Sequence, residues 1–223
     1  MSGTASYATP APTRSPVMTH HHLHSSPETC HWGFFEAKLK PVLTVASGDE
    51  VTVDTISGGP EVVPDKSRFH VPPELAEVHA KNERMVPGHI LTGPIAVAGA
   101  EPGDVLEVEI LDVRLRQDWG YNLIRPLAGT LPDDFHETRL LNIPLDQKRM
   151  VGRLPWGLDL PLRPFFGVMG VAPPPTVAAK ALRRLTCRRV KPPLRWPEIM
   201  LFIYQPIAYS QSTFTAHLPS PQP

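Results

Sequence analysis

Apolar and polar residues alternate most clearly at Leu106, Val108 and Ile110, which are separated by Glu107 and Glu109. That period of two predicts a strand with one apolar face and two carboxylates on the other. Earlier in the chain, "PVLTV" (41–45) and "EVTVDTI" (50–56) are both rich in β-branched residues and flank "ASGD". Gly48 can take a positive φ there and Asp49 can bond its own backbone, so the spacing predicts a strand, a tight turn and a second strand. The same device recurs across 94–113, "PIAVAGAEPGDVLEVEILDV". "LRPFFGVMGVAPPP" (162–175) is an aromatic and β-branched run stopped by prolines, hence a buried strand that ends in a loop. Between the strands, 73–85 opens on Pro73, is rich in Glu, Ala and Lys, and stops before Pro87. It predicts one helix, a crossover or lid rather than a core element.

Composition sharpens this picture. The 223 residues include 28 Pro against 15 Gly, and interior prolines break helices by removing a backbone donor. The expectation is a mainly β protein: an antiparallel β-sandwich-like domain over 20–175 with one short helix. Residues 1–19 are Ser/Thr/Ala/Pro-rich and read as a disordered lead-in. Lys+Arg and Asp+Glu both total 22, which argues against nucleic acid or an anionic membrane surface as partner. With no apolar run of spanning length and no basic head before an apolar stretch, a soluble cytoplasmic protein is expected.

The charge balance breaks after Pro175. Residues 176–223 hold seven basic residues and one acidic, against 15 and 21 in 1–175. "TVAAKALRRLTCRRVK" could form a basic helix suited to nucleic acid, but the preferred reading is an unrelated basic, Pro-rich and disordered tail.

Candidate chemistry lies near the front. His22 and His24 are two apart, so on a strand they share a face and could share a metal; the alternative is a solvated histidine tract. His20 and His21 are assigned to the lead-in. Cys30 and His31 are adjacent and face opposite ways, which excludes a nucleophile–base pair. Trp32, Phe34 and Phe35 read as core or pocket wall. His89, in "GHILTGP", stands beside a Gly-Pro turn just before a strand. Asp65 is a metal ligand, an orienting carboxylate or a turn residue, and Glu109 is a general base or a solvent-facing side chain.

Taken together, "HWGFFEAKLKPVLTVASGDEVTVDTISGGPEV", "HILTGPIAVAGAEPGDVLEVEILDV", "WGYN" and "PFFGVMGVAP" resemble the acetamidase/formamidase family over about residues 20–175. The resemblance implies a β-sandwich-like fold and hydrolysis of short aliphatic amides to a carboxylic acid and ammonia. Cleaving an unactivated amide calls for a strong nucleophile and an acid for the leaving amine, and metal-activated water meets the first need. The implied site is therefore a divalent metal, zinc, on His89, His22 and His24, with Asp65 and Glu109 as catalytic carboxylates. The "H…TGP" match falls on His89. A small amide is the expected substrate.

From Pro173 to Thr176 the sequence departs from the family pattern, where a glycine-rich segment with an HGGN-type motif would follow. An incomplete sandwich is expected, with the strand at 165–171 left open to association between copies of the chain. The alternative function is a catalytically inactive, truncated β-sandwich that binds a small ligand or a partner.

Overall fold

In the computed structural model, residues 18–84, 89–101, 104–128, 131–172, 200–204 and 210–218 are described. The run at 50–54 folds into a strand as its alternation requires, but its two neighbours come from opposite ends of the chain. In order, the strands are β1 (His20–Leu23), β2 (Cys30–Trp32), β3 (Leu43–Val45), β4 (Glu50–Asp54), β5 (Ile90–Val97), β6 (Glu107–Leu115), β7 (Trp119–Ile124), β8 (Arg139–Asp146), β9 (Val151–Arg153), β10 (Asp159–Pro161), β11 (Val168–Val171), β12 (Met200–Tyr204) and β13 (Ser210–His217). Among the described residues a single α-helix, α1 (Pro73–Lys81), lies between β4 and β5. The mainly β class with one short helix is thus observed. No helix among the described residues is long and apolar enough to cross a membrane.

The strands form three sheets, ordered β1-β4-β13-β6, β11-β12-β5-β2 with β3 beside β5, and β10-β9-β8-β7. Pairing is antiparallel except for β1 with β4 and β3 with β5, which are parallel. The Gly48–Asp49 turn forms as the sequence predicts, with Gly48 at φ +90° and the Asp49 carboxylate accepting from the Ala46 N–H at 2.8 Å. It does not close a hairpin. It sends β3 and β4 into two different sheets, and the faces of those sheets enclose the main core. Leu23, Val51, Val53, Phe214 and Ala216 from the first sheet meet Val45, Ile95 and Val97 from the second.

Helix α1 departs from its expected role. Leu75 and Val78, three apart and therefore on one face, are fully buried. They join Trp32, Ile56, Ile90 and Trp119 in a second core cluster, so the helix is a core element and not a lid. The Gly93-Pro94 pair also lies inside β5 rather than in a turn. Proline has no N–H for the ladder, and the neighbouring β12 shifts register opposite it, between Leu201 and Ile203.

The expectation that 176–223 stands apart from the domain needs correction wherever those residues are described. β12 pairs with both β11 and β5, so the strand at 168–171 is not left without a neighbour. β13 lies between β4 and β6, where Phe214 is fully buried and Ala216 is 1% exposed. The basic run at 176–199 dominates the composition of that segment but lies outside the described residues; the strands that follow it carry the apolar pattern. On the far side of the second sheet, Phe35 packs directly over Gly170, where an added Cβ would come within 2.7 Å of the ring.

If β13 carries the core as described, Phe214→Ala should lower unfolding free energy by about 3–5 kcal/mol. Urea denaturation of the full chain measures this, and a loss below about 1 kcal/mol would place Phe214 outside the core.

Candidate metal centre

The parallel register of β1 on β4 sets His20 opposite Glu50, His22 opposite Thr52 and Leu23 opposite Val53. Leu23 turns inward at 6% exposure, so the flanking His22 and His24 turn the other way. His20 and His21, expected in the lead-in, belong to this strand. His20 Nε2 lies 2.9 Å from Thr52 Oγ1, and His21 Nε2 lies 3.0 Å from Asp49 Oδ2. Burial of Asp49 opposes its ionisation, but the N–H groups of Ala46 and Thr19, with His21, outweigh it and hold the carboxyl below its usual pKa.

The alternation leaves His22 and His24 side by side, with ring centroids 3.8 Å apart. Both point at Asp54, the last residue of β4. His22 Nε2 is 3.2 Å from Asp54 Oδ1 and His24 Nδ1 is 2.8 Å from Asp54 Oδ2. The Asp54 side chain is 6% exposed while that of His24 is 69% exposed, so the group has a buried anionic floor and an open side. The main-chain carbonyl of Asp54 is held by the Ser25 hydroxyl at 2.6 Å and the Thr92 hydroxyl at 3.2 Å. From the end of β6, Arg116 Nε reaches to 3.7 Å from Asp54 Oδ1, and its Nη2 donates to Glu74 Oε1 of α1 at 2.6 Å. Arg116 Nη1 is buried and has no hydrogen-bond partner among the described residues.

This donor set suits a divalent cation. His22, His24 and Asp54 each offer one ligand atom, and the three atoms lie within 4.8 Å of one another. Two imidazoles and a carboxylate match the preferences of zinc and related ions, and three protein ligands with an open side is the pattern of a catalytic rather than a structural site.

The other sequence-predicted residues are not members of this group. Asp65 is exposed and caps a turn, accepting from the Ser67 N–H at 2.9 Å; that bond holds its carboxyl below the usual range. Glu109 is exposed on β6, opposite Thr215 of β13. His89 is exposed just ahead of β5, and its carbonyl accepts from the Gly33 N–H at 2.8 Å. In their place the structure supplies Asp54, Arg116 and Glu74. In sequence Asp54 is one polar position of the alternating "EVTVD", which carries no signal of its burial.

Across 17–218 the sequence matches the profile of the family described as Acetamidase/Formamidase. The chain belongs to the acetamidase/formamidase family. Among its relatives is an acetamidase of Mycolicibacterium smegmatis, 31% identical over 139 residues, a match that covers 52% of this chain and 32% of that protein. A formamidase of Methylophilus methylotrophus is 58% identical over 54 residues, 22% of this chain and 13% of that protein. The chain thus aligns with a third or less of the length of these relatives. The crystal structure of an acetamidase from Yersinia enterocolitica superposes with a TM-score of 0.66 at 23% identity, covering 94% of this chain and 71% of that one. At that identity the likeness establishes the shared fold.

Other histidines of this acetamidase/formamidase-family chain sit in drier surroundings. Desolvation lowers the pKa of His31, against hydrogen bonds to the Phe34 and Gly93 backbone, and that of His79, against its bond to the Gly58 carbonyl. Desolvation of the His89 ring acts in the same direction, although the residue as a whole is exposed. In the unfolded chain these groups titrate near about 6.5. Below that pH the unfolded state binds more protons than the folded one, so stability is complete above about 6.5 and falls as pH drops. Urea midpoints should be lower at pH 5.5 than at pH 7.5; a midpoint that rises on acidification would contradict the desolvated, neutral state of these rings.

Proposed function

We propose that this chain hydrolyses the C–N bond of short aliphatic amides such as formamide and acetamide, giving a carboxylic acid and ammonia. The observation that carries the reading is the convergence of His22 and His24 on the buried Asp54 carboxylate. Family membership supports the same chemistry: its relatives in Mycolicibacterium smegmatis and Methylophilus methylotrophus are an acetamidase and a formamidase.

In this reading His22, His24 and Asp54 hold a divalent cation, zinc by the chemistry of the donors. When bound, such an ion supplies Lewis acidity, polarising a carbonyl and bringing the pKa of water towards about 7. The protein's own residues do the rest. Asp54 fixes both imidazoles and provides negative charge at a dry floor. Arg116 holds Asp54 in place and ties it to Glu74. The exposed flank of His24 leaves a path for a molecule as small as formamide.

Ammonia release from formamide and acetamide should be measurable with the zinc-supplemented full chain. Asp54→Asn should reduce it about a hundredfold or more, with a parallel loss of bound zinc by elemental analysis, whereas Asp65→Asn should leave both unchanged. No release from either amide refutes the activity. Turnover that survives Asp54→Asn refutes the site.

A further inference from the structure

Arg116 stands between two carboxylates from different parts of the fold. Its Nη2 donates to Glu74 Oε1 at 2.6 Å, a charge-assisted bond of the strong kind. Its Nε lies 3.7 Å from Asp54 Oδ1, beyond hydrogen-bonding range. The guanidinium is therefore bonded to Glu74 and only near Asp54.

That division matters because Asp54 is wanted twice. His22 Nε2 is 3.2 Å from Asp54 Oδ1 and His24 Nδ1 is 2.8 Å from Oδ2, and a divalent cation among these three groups needs the same carboxylate that attracts Arg116. An arginine cannot give way by losing its proton. Around a side chain that is 6% exposed, water and salt also do little to screen one cation from another. A guanidinium that closed onto Asp54 would neutralise the carboxylate and repel the metal, so the site depends on where Arg116 is held.

Helix α1 does the holding. Leu75 and Val78 are fully buried and fix the helix against the core. Glu74 lies in its first turn beside Pro73, where a negative charge suits the helix dipole. Among the described residues the ion pairs of Arg116 are with Glu74 and Asp54, so loss of Glu74 would leave Asp54 as its carboxylate partner. We propose that Glu74 is a positioning residue of the metal centre: it keeps the Arg116 guanidinium off Asp54 and so leaves that carboxylate able to take a divalent cation. This rests on His22, His24 and Asp54 being the ligands, and not on amide hydrolysis itself.

The test is zinc affinity of the full chain, measured by competition with a zinc-chelating dye. Glu74→Ala should bind zinc about 10–100-fold more weakly than the parent. Removing the competitor as well, in Glu74→Ala/Arg116→Met, should bring affinity back to within about threefold of the parent, a coupling that a double-mutant cycle isolates. A merely structural role predicts the reverse, since two losses at one buried contact would leave the double variant no better than the single one. Glu77→Ala removes an exposed carboxylate of the same helix, paired with Lys81 at 3.5 Å, and should bind zinc as the parent does. Should Glu74→Ala not fold, Glu74→Gln keeps the acceptor without the charge, and the same loss and the same rescue by Arg116→Met are expected. The proposal is overturned if the Glu74 variant binds zinc as the parent does, if Arg116→Met restores nothing, or if Glu77→Ala weakens binding equally. A parent chain that binds zinc but releases no ammonia would refute amide hydrolysis and leave the role of Glu74 standing, whereas a parent that binds no zinc refutes both.

Discussion

A carboxylate with 6% of its side chain exposed, at the end of a strand paired on both edges, constrains much of the rest of this molecule. Burying such a group is expensive unless charge and hydrogen bonds compensate it. Asp54 receives that compensation from three places distant in sequence: His22 on β1, His24 just beyond it, and Arg116 past the end of β6. The parallel register of β1, the path of β6 and the docking of α1, which contributes Glu74 behind Arg116, all converge on this residue. The features that make the group costly to assemble also make it suited to binding: the charge is fixed, its surroundings are dry, and one side is open.

Local elements were legible wherever the physics is local. The Gly48–Asp49 turn, the inward face of Leu106 and Val108, and the proline that opens α1 each depend on residues a few positions apart and are present in the structure, whereas Ile110, expected on that same face, is 44% exposed where the β6–β13 register shifts. The same-face relation of His22 and His24 was legible too, because period-two geometry needs nothing beyond the strand itself. What lay beyond reach was partner choice. No local pattern says that "EVTVD" pairs in parallel with the histidine strand, so Asp54 read as one polar position in an alternating run. The sequence of helix α1 predicts a crossover or lid rather than a core element, although two residues, Leu75 and Val78, suffice to bury one face.

The C-terminal strands show a different kind of failure. The basic stretch before residue 200 changes the average composition of the last segment so strongly that it masked two short apolar patterns. Phe214 and Ala216 keep the period of two, and β12 is itself the unbroken run "MLFIY". Composition averaged over a long window is a poor guide where a short strand completes a sheet, because what matters is the face of a few residues. The family profile, which extends to residue 218, agrees with the placement of β13.

The position of β13 also bears on how the chain acquires its fold during synthesis. β4 leaves the ribosome long before its neighbour on that edge: Thr52 and Thr213, whose hydroxyls lie 3.0 Å apart, are separated by 161 residues. Until then β4 and β6 each present an unpaired edge and an uncovered apolar face, which is how nascent chains come to associate wrongly. Contacts of such sequence separation form slowly because loop closure must precede any gain from pairing. The two pairings made by β13 are therefore the ones in the first sheet that must wait, whereas β1 and β4 can pair early. A polypeptide with this strand order carries open edges on β4 and β6 until β13 emerges, and its risk of wrong association is concentrated in that interval.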